Sequence, residues 1–281
     1  MPEKPEQQLV NPDELTGEQT PTDQNELTEE QRKSIGKVMN YLQNEGYSRA
    51  IFQVKPILRE LDPALHKEFG LNLAWLFGGA PLFNNLKHFD ENDHPDFIRA
   101  LIESKHGETV PANIDKFRGT DHRAAFSLLI EEIKSNPAKA KQIAMAIEDN
   151  LEKFQGLDSE EAATNLIGVG QGGVVLRNLE KFPGLNHKDT ALKIIEAGKA
   201  GVGESANIIG YFDNFNFQES DHPEIANALL EAGLGAELGV IIDKFSGLDQ
   251  ETIDKATGSW EEKSRDWDEQ KKKDFKRYFR A

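Results

Sequence analysis

One short pattern returns through most of the chain and limits the fold more than any other feature. It runs Asn, an apolar residue, a variable residue, Lys, Phe, then Gly two residues on, and Asp or Asn followed by His. It stands as NLKHFDENDH (85–94), NIDKFRGTDH (113–122), NLEKFQGLDS (150–159), NLEKFPGLNH (178–187) and IIDKFSGLDQ (241–250), with a position or two altered in several copies. A sixth copy aligns as ANIIGYF (206–212), with the five residues DNFNF inserted before QESDH. The aligned aromatics are then Phe89, Phe117, Phe154, Phe182, Phe212 and Phe245. Recurrence at about 30 residues is the signature of stacked supersecondary units, none of which buries its apolar face alone.

Each unit reads as two helices. Asp or Asn at 93, 121, 158, 186, 221 and 249 can accept the free N–H groups of a helix start, and Asp158 with Glu161 and Asp221 with Glu224 have capping-box spacing. Apolar residues three and four apart follow, as in Ala191, Ile194 and Ile195, giving one buried stripe. A glycine ends this helix. The second helix is short and stops at Gly119, Gly156, Gly184 or Gly247, residues suited to a left-handed turn. The stretch KSNPAKAKQIAMAIED lengthens one of these second helices. The fold class is therefore all-α, a right-handed stack of helix-turn-helix repeats forming an α-solenoid.

Four regions follow. Residues 1–27 make an acidic arm with almost nothing to bury, expected to be disordered. Residues 28–81 form an N-terminal helical cap, opened by a Thr28–Gln31 capping box and broken at Pro56, Pro63 and the Gly78-Gly79 pair. Residues 82–258 hold about six helical hairpins, and 259–281 form a C-terminal amphipathic helix with a basic end. The formal net charge of −16 disfavours a nucleic-acid backbone as the main ligand. There is no cysteine, which excludes disulfides and thiolate chemistry and fits a reducing interior. The first residues lack a basic segment before an apolar run, and no stretch approaches the roughly 20 apolar residues of a membrane span. A cytoplasmic protein is expected.

Gly168 to Gly173 spell G-x-G-x-x-G, the spacing of a dinucleotide loop. That loop needs a preceding strand, whereas here a helical run precedes it, and sister loops keep glycine while losing the spacing. GKAGVGES (198–205) places Glu204 where a phosphate-binding loop needs Lys. Neither loop reads as a nucleotide site. His94, His122, His187 and His222 recur after the N-cap, about one repeat apart, too far for one metal ion. The oxygen-rich DENDHPD and DNFNFQESDHPE lack the ligand order of a calcium loop and coincide with N-caps. No catalytic constellation, cofactor site or metal site is assigned, and the chain is expected not to be an enzyme.

Two segments read as contact surfaces. The insertion with Tyr211, Phe215 and Phe217 is rich in aromatics and Asn and is expected to protrude as a contact loop. The C-terminal segment places Trp260 and Trp267 ahead of Lys271, Lys272, Lys273, Lys276, Arg277 and Arg280. This polarity suits a capping helix with a solvated basic end, or a surface for nucleic acid, an anionic membrane or an acidic protein segment such as the chain's own arm.

The pattern over about 82–258 resembles α-solenoid repeats, in particular short tandem repeats of uncharacterised bacterial proteins. LIGVGQGGVVLRNLEKFPGL is also similar, more distantly, to repeats of the TAL-effector type, in which a Gly-Gly loop joins two helices and a Gly-Leu step follows. Here the repeats are shorter and irregular and the body has no excess of positive charge, so no DNA-reading residue is assigned. The function expected is a non-catalytic helical-repeat scaffold for a protein or peptide partner. The alternative is a nucleic-acid-associated protein using its basic tail.

Overall fold

The computed structural model describes residues 27–201 and 207–280. Over these it is all helical, with no strand. In chain order the helices are α1 (Glu29–Glu45), α2 (Tyr47–Glu60), α3 (His66–Phe77), α4 (Ala80–Phe83), α5 (His94–Glu103), α6 (Val110–Asn113), α7 (His122–Ser135) and α8 (Pro137–Asp149). They continue as α9 (Ser159–Gly168), α10 (Gly172–Arg177), α11 (His187–Lys199), α12 (Asn207–Gly210), α13 (His222–Glu231), α14 (Gly235–Ile241), α15 (Gln250–Ser264) and α16 (Glu269–Arg280). Odd-numbered helices pack against the next odd-numbered helix, as α1 on α3, α3 on α5, α5 on α7, α9 on α11, α11 on α13 and α13 on α15. Even-numbered helices pair in a second layer, α2 with α4, α6 with α8, α8 with α10 and α12 with α14. The expected arm lies, up to residue 26, outside the described residues.

The Thr28–Gln31 capping box forms, and the Gly78-Gly79 break is real, with φ of 61° and 101°. Pro56 does not break its helix. It lies inside α2 on an exposed face, where the carbonyl it leaves without an N–H partner can meet water. The regional boundaries at 81 and 258 fall within α4 and α15, and the terminal helix starts at Glu269 after the turn that follows Ser264.

The Asn-apolar-x-Lys-Phe motif is a helix end tightened into a single 3-10 turn. The Asn85, Asn113, Asn150 and Asn178 side chains donate to the carbonyls four residues back, at 2.8, 2.9, 2.9 and 2.8 Å. The 3-10 turns then span Leu86–His88, Ile114–Lys116, Leu151–Lys153, Leu179–Lys181, Phe212–Asn214 and Ile242–Lys244. Each ends on an aromatic: Phe89, Phe117, Phe154, Phe182, Phe215 and Phe245. Phe215, not Phe212, is therefore the repeat aromatic of the fifth unit. The insertion is two residues rather than five, since His187 follows Phe182 by five positions and His222 follows Phe215 by seven. Gly119, Gly156, Gly184 and Gly247 follow with φ of 68–83° and turn the chain into the next N-cap.

Asp121, Asp158, Asn186 and Asp249 accept helix-start N–H groups as expected. Asp93 and Asp221 do not, because a 3-10 turn precedes each helix and moves the cap upstream. Asp90 accepts from Asn92, and the Asp221 carboxylate accepts from the Gln218 N–H. The capping box assigned to Asp221 and Glu224 is thus formed instead by Gln218 and Asp221, and Asp158 caps Glu161 without the reciprocal bond.

The first-turn histidines join one repeat to the next. His122 Nδ1 accepts the backbone N–H of Gln155 at 2.9 Å, His187 that of Asn216 at 2.6 Å, and His222 that of Ser246 at 2.9 Å. Each donor follows the aromatic of the next unit, and each ring packs on that aromatic: Phe154, Phe215 and Phe245, at 6.4, 5.7 and 5.4 Å. The third unit breaks the pattern at both ends. Ser159 replaces His, and the residue after Phe182 is Pro183, which has no N–H to give. At the first joint the Arg118 N–H turns to the Lys116 carbonyl, and His94, 1% exposed, packs on Phe117 without its hydrogen bond. Backbone geometry follows this division. Stapled joints have ψ of 109°, 144° and 135° at Phe154, Phe215 and Phe245, against 83° and 72° at Phe117 and Phe182.

Replacing Ser159 by His and Pro183 by Gln together should install the missing staple. A gain of about 1 kcal/mol, or roughly 2–4 °C in Tm, is expected. Ser159→His alone should give nothing, and His187→Ala should cost about 0.5–1.5 kcal/mol, the net worth of a hydrogen bond whose freed N–H can turn to water. Thermal melts followed by circular dichroism decide between these outcomes.

Candidate functional site

The odd-helix layer is laced by ion pairs between neighbours. Arg123 reaches Glu161 (2.5 Å), Lys193 Glu160 (3.3 Å), Lys188 Glu224 (3.0 Å) and Lys199 Glu231 (3.4 Å). These pairs satisfy the middle of the layer from within. Toward the N-terminus the surface changes character. Trp75 and Leu76 on α3 are 52% and 45% exposed. Two adjoining cavities of about 340 Å³ each lie beside them, one between α3 and α5 and one between α1 and α3, sharing Glu68 and Asn72 as their common wall.

The walls of this groove follow from local sequence. In α1, Ile35, Met39 and Leu42 form the buried stripe, and Gly36 on the next face leaves open space where a side chain would stand. In α3, Phe69, Leu73 and Ala74 face the core, while Leu71, Trp75 and Leu76 occupy other faces. A helix apolar on all sides is too apolar for a surface position with one covered stripe. Glu68 is held by Asn72, whose amide donates to its carboxylate at 2.9 Å, and Lys67 is paired with Asp96 at 2.5 Å. Hydrogen bonding to Asp96 raises the Lys67 ammonium above its usual range and outweighs partial burial.

The expected contact residues distribute differently. Phe215 is 7% exposed, stacked on Phe217 at 4.7 Å and against the His187 ring. Phe217 and Tyr211 are half-buried against the core, so the insertion turns inward as a plug between repeats and does not protrude. Its two extra residues supply the second ring of that stack. At the other end Trp260, Trp267 and Phe275 form an aromatic cluster with centroids 5.1–5.9 Å apart. Lys271 and Lys276 sit over Trp267 and Trp260 at 4.5 and 5.4 Å, and Lys272 is paired with Glu269. Lys273 and Arg277 are exposed, with no ion pair to another described residue. The Arg280 side chain lies outside the description.

The chain matches no protein-family profile, no curated protein and no solved structure. Its chemistry rests on its own geometry. The G-x-G-x-x-G segment links α9 to α10, helix to helix, and borders a groove of about 680 Å³ with α8. Of the two cations that line it, Lys141 is exposed and Arg177 makes a two-pronged contact with Glu148, 2.7 Å for each bond, to which Asn178 adds a third at 3.1 Å. Of the Walker-like GKAGVGES (198–205), Gly198 and Lys199 end α11 and the last four residues lie outside the described residues. No helix among the described residues is long and apolar enough to cross a membrane.

The Arg177 guanidinium, helped by Asn178, holds the Glu148 carboxyl below its usual range against the opposing effect of burial. A depressed carboxyl stabilises the fold above its unfolded pKa, near 4.3, and loses that contribution as pH falls through the folded value. Glu148→Gln should therefore cost about 1 kcal/mol at neutral pH, limited by the half-exposed Arg177. The difference from the parent should close below about pH 4, as read by urea titration across pH.

Proposed function

We propose that this chain is a non-catalytic helical-repeat scaffold that binds a protein or peptide segment in the groove of α1, α3 and α5. The observation that carries the reading is Trp75: a large aromatic, half exposed beside Leu76, on a layer whose helices α7 to α13 are joined by ion pairs. Exposed apolar patches with polar rims mark interaction sites, and aromatic side chains at their centres carry most of the binding energy. The reading takes the ordered packing of odd and even helices as a right-handed α-solenoid, with the N-terminal helices as its cap. It places the protein in the cytoplasm, in keeping with the absence of cysteine.

The test is selection of peptides from a displayed library against the full chain. Bound peptides should lose at least about tenfold in affinity with Trp75→Ser and be unaffected by Lys273→Glu with Arg277→Glu. Failure to select any peptide, or selection of peptides indifferent to Trp75, would count against the groove. A second reading, nucleic-acid association through the tail, draws on the exposure of Lys273 and Arg277. It requires oligonucleotide affinity that falls linearly with log salt and disappears in the same double charge reversal.

A further inference from the structure

We propose that the Trp75 groove is covered in cis by the chain's own N-terminal segment, residues 1–26, with the aliphatic side chains of Leu9, Val10 and Leu15 on Trp75 and Leu76. This rests on the binding groove proposed above and names its resident occupant.

Three observations on the molecule point to this segment. The first is where it joins the fold. Leu27, the first described residue, is half-buried against the core and forms part of the α1 side of the groove, so the preceding chain enters the structure at the groove's own rim. The second is reach. Crossing from α1 over α3 to α5 covers about 20 Å, two interhelix spacings. Leu15 precedes Leu27 by twelve residues, which span up to about 40 Å when extended, so the aliphatic residues reach Trp75 with slack.

The third is charge. Residues 1–26 carry Glu3, Glu6, Asp13, Glu14, Glu18, Asp23 and Glu26 against Lys4. The groove, in a chain of net charge −16, is lined by the cations Arg32, Lys67 and Arg99, of which the exposed Arg99 on α5 makes no ion pair with another described residue, and Lys33 is exposed on α1 next to Arg32. Of its acids, Asp96 is paired with Lys67, Glu68 is held by the Asn72 amide and keeps its charge, and Glu103 is the third. An acidic segment tethered at the rim sees these cations at an effective concentration in the millimolar range, so weak contacts suffice. An incoming partner then has to displace it.

The experiment uses 19F NMR of the full chain labelled with 5-fluorotryptophan, which gives three resonances, with Trp75 assigned by its loss in Trp75→Phe. Two altered chains are compared with the parent: one lacking residues 1–26, whose fold still opens at the Thr28 cap, and one with Leu9→Asp, Val10→Asp and Leu15→Asp. The Trp75 resonance should move in the same direction in both, with a larger solvent isotope shift than in the parent, while Trp260 and Trp267 stay in place. High salt should move the parent toward the truncated chain. A Trp75 resonance identical in all three chains overturns the proposal. So does movement of Trp260 and Trp267 instead, which would seat the segment on the C-terminal helix. A Trp75 shift that vanishes on dilution would assign the contact to a second copy and sink the cis arrangement. Indifference of Trp75 to the segment, alongside Trp75-dependent peptide binding, removes this inference and leaves the groove as a partner site. The reverse combination leaves the covering segment and removes the external partner.

Discussion

An imidazole that accepts a backbone N–H from the following repeat joins three of the five pairs of successive repeats. Three of the even-numbered elements offer little surface for side-chain packing, α6 and α12 with four residues each and α10 with six, whereas α8 has 13. What orients one unit on the next is therefore the point where the chain leaves a 3-10 turn. There the histidine does two things with one ring. Its ring packs on the next Phe, and its Nδ1 takes the N–H of the residue after that Phe, which the 3-10 turn does not use. A purely aromatic residue would supply the first effect and leave the second unmet, and a polar aliphatic one the reverse.

The all-helical fold was legible because the Asn-apolar-x-Lys-Phe turn and the helix starts after it recur along the chain. The helix pairs, the turning glycines and four of the six N-caps follow from spacing, composition and the needs of free helix-start N–H groups. The errors came where a local rule was read without its partner across the repeat. Phe212 aligned with Phe182 by proximity to the preceding apolar run, but the 3-10 turn that defines the unit ends three residues later at Phe215. Asp93 and Asp221 were read as caps from position alone, although the His-Pro that follows each lets an upstream 3-10 turn take over the capping. Ser159 and Pro183 were visible as exceptions, yet only the hydrogen-bond geometry shows that they are one exception. The candidate groove was the least legible part. Its sole sequence sign was the all-round apolarity of HKEFGLNLAWLF, which reads equally well as a buried helix until the structure shows which face has no cover.

Surface electrostatics and core packing meet at that groove. Along the middle of the odd-helix layer, acids and bases on successive helices neutralise one another, and the ion pairs there span repeats in the same way the staples do. Such exposed pairs add little stability individually, but they leave that surface with few charges in want of a partner. At the N-terminal end Lys67 of α3 still pairs with Asp96 of α5, but Trp75 and Leu76 stand exposed beside that pair.

The C-terminal end resolves the same problem differently. A stack of repeats must end, and its last unit exposes an apolar surface that an internal unit would bury. Here α16 turns back onto α12 and α14, placing Phe275 against Trp260 and Trp267 and laying Lys271 and Lys276 over the indole faces, so the aromatics are shielded by cations held within the same chain. The two ends thus use one chemistry in two states of completion. At one end the aromatics are covered by a described helix; at the other, Trp75 has cations nearby and an apolar groove, and no described residue lies across it. A covering segment at that end has to bring aliphatic groups and negative charge together, because the groove already supplies the aromatic ring and the positive rim.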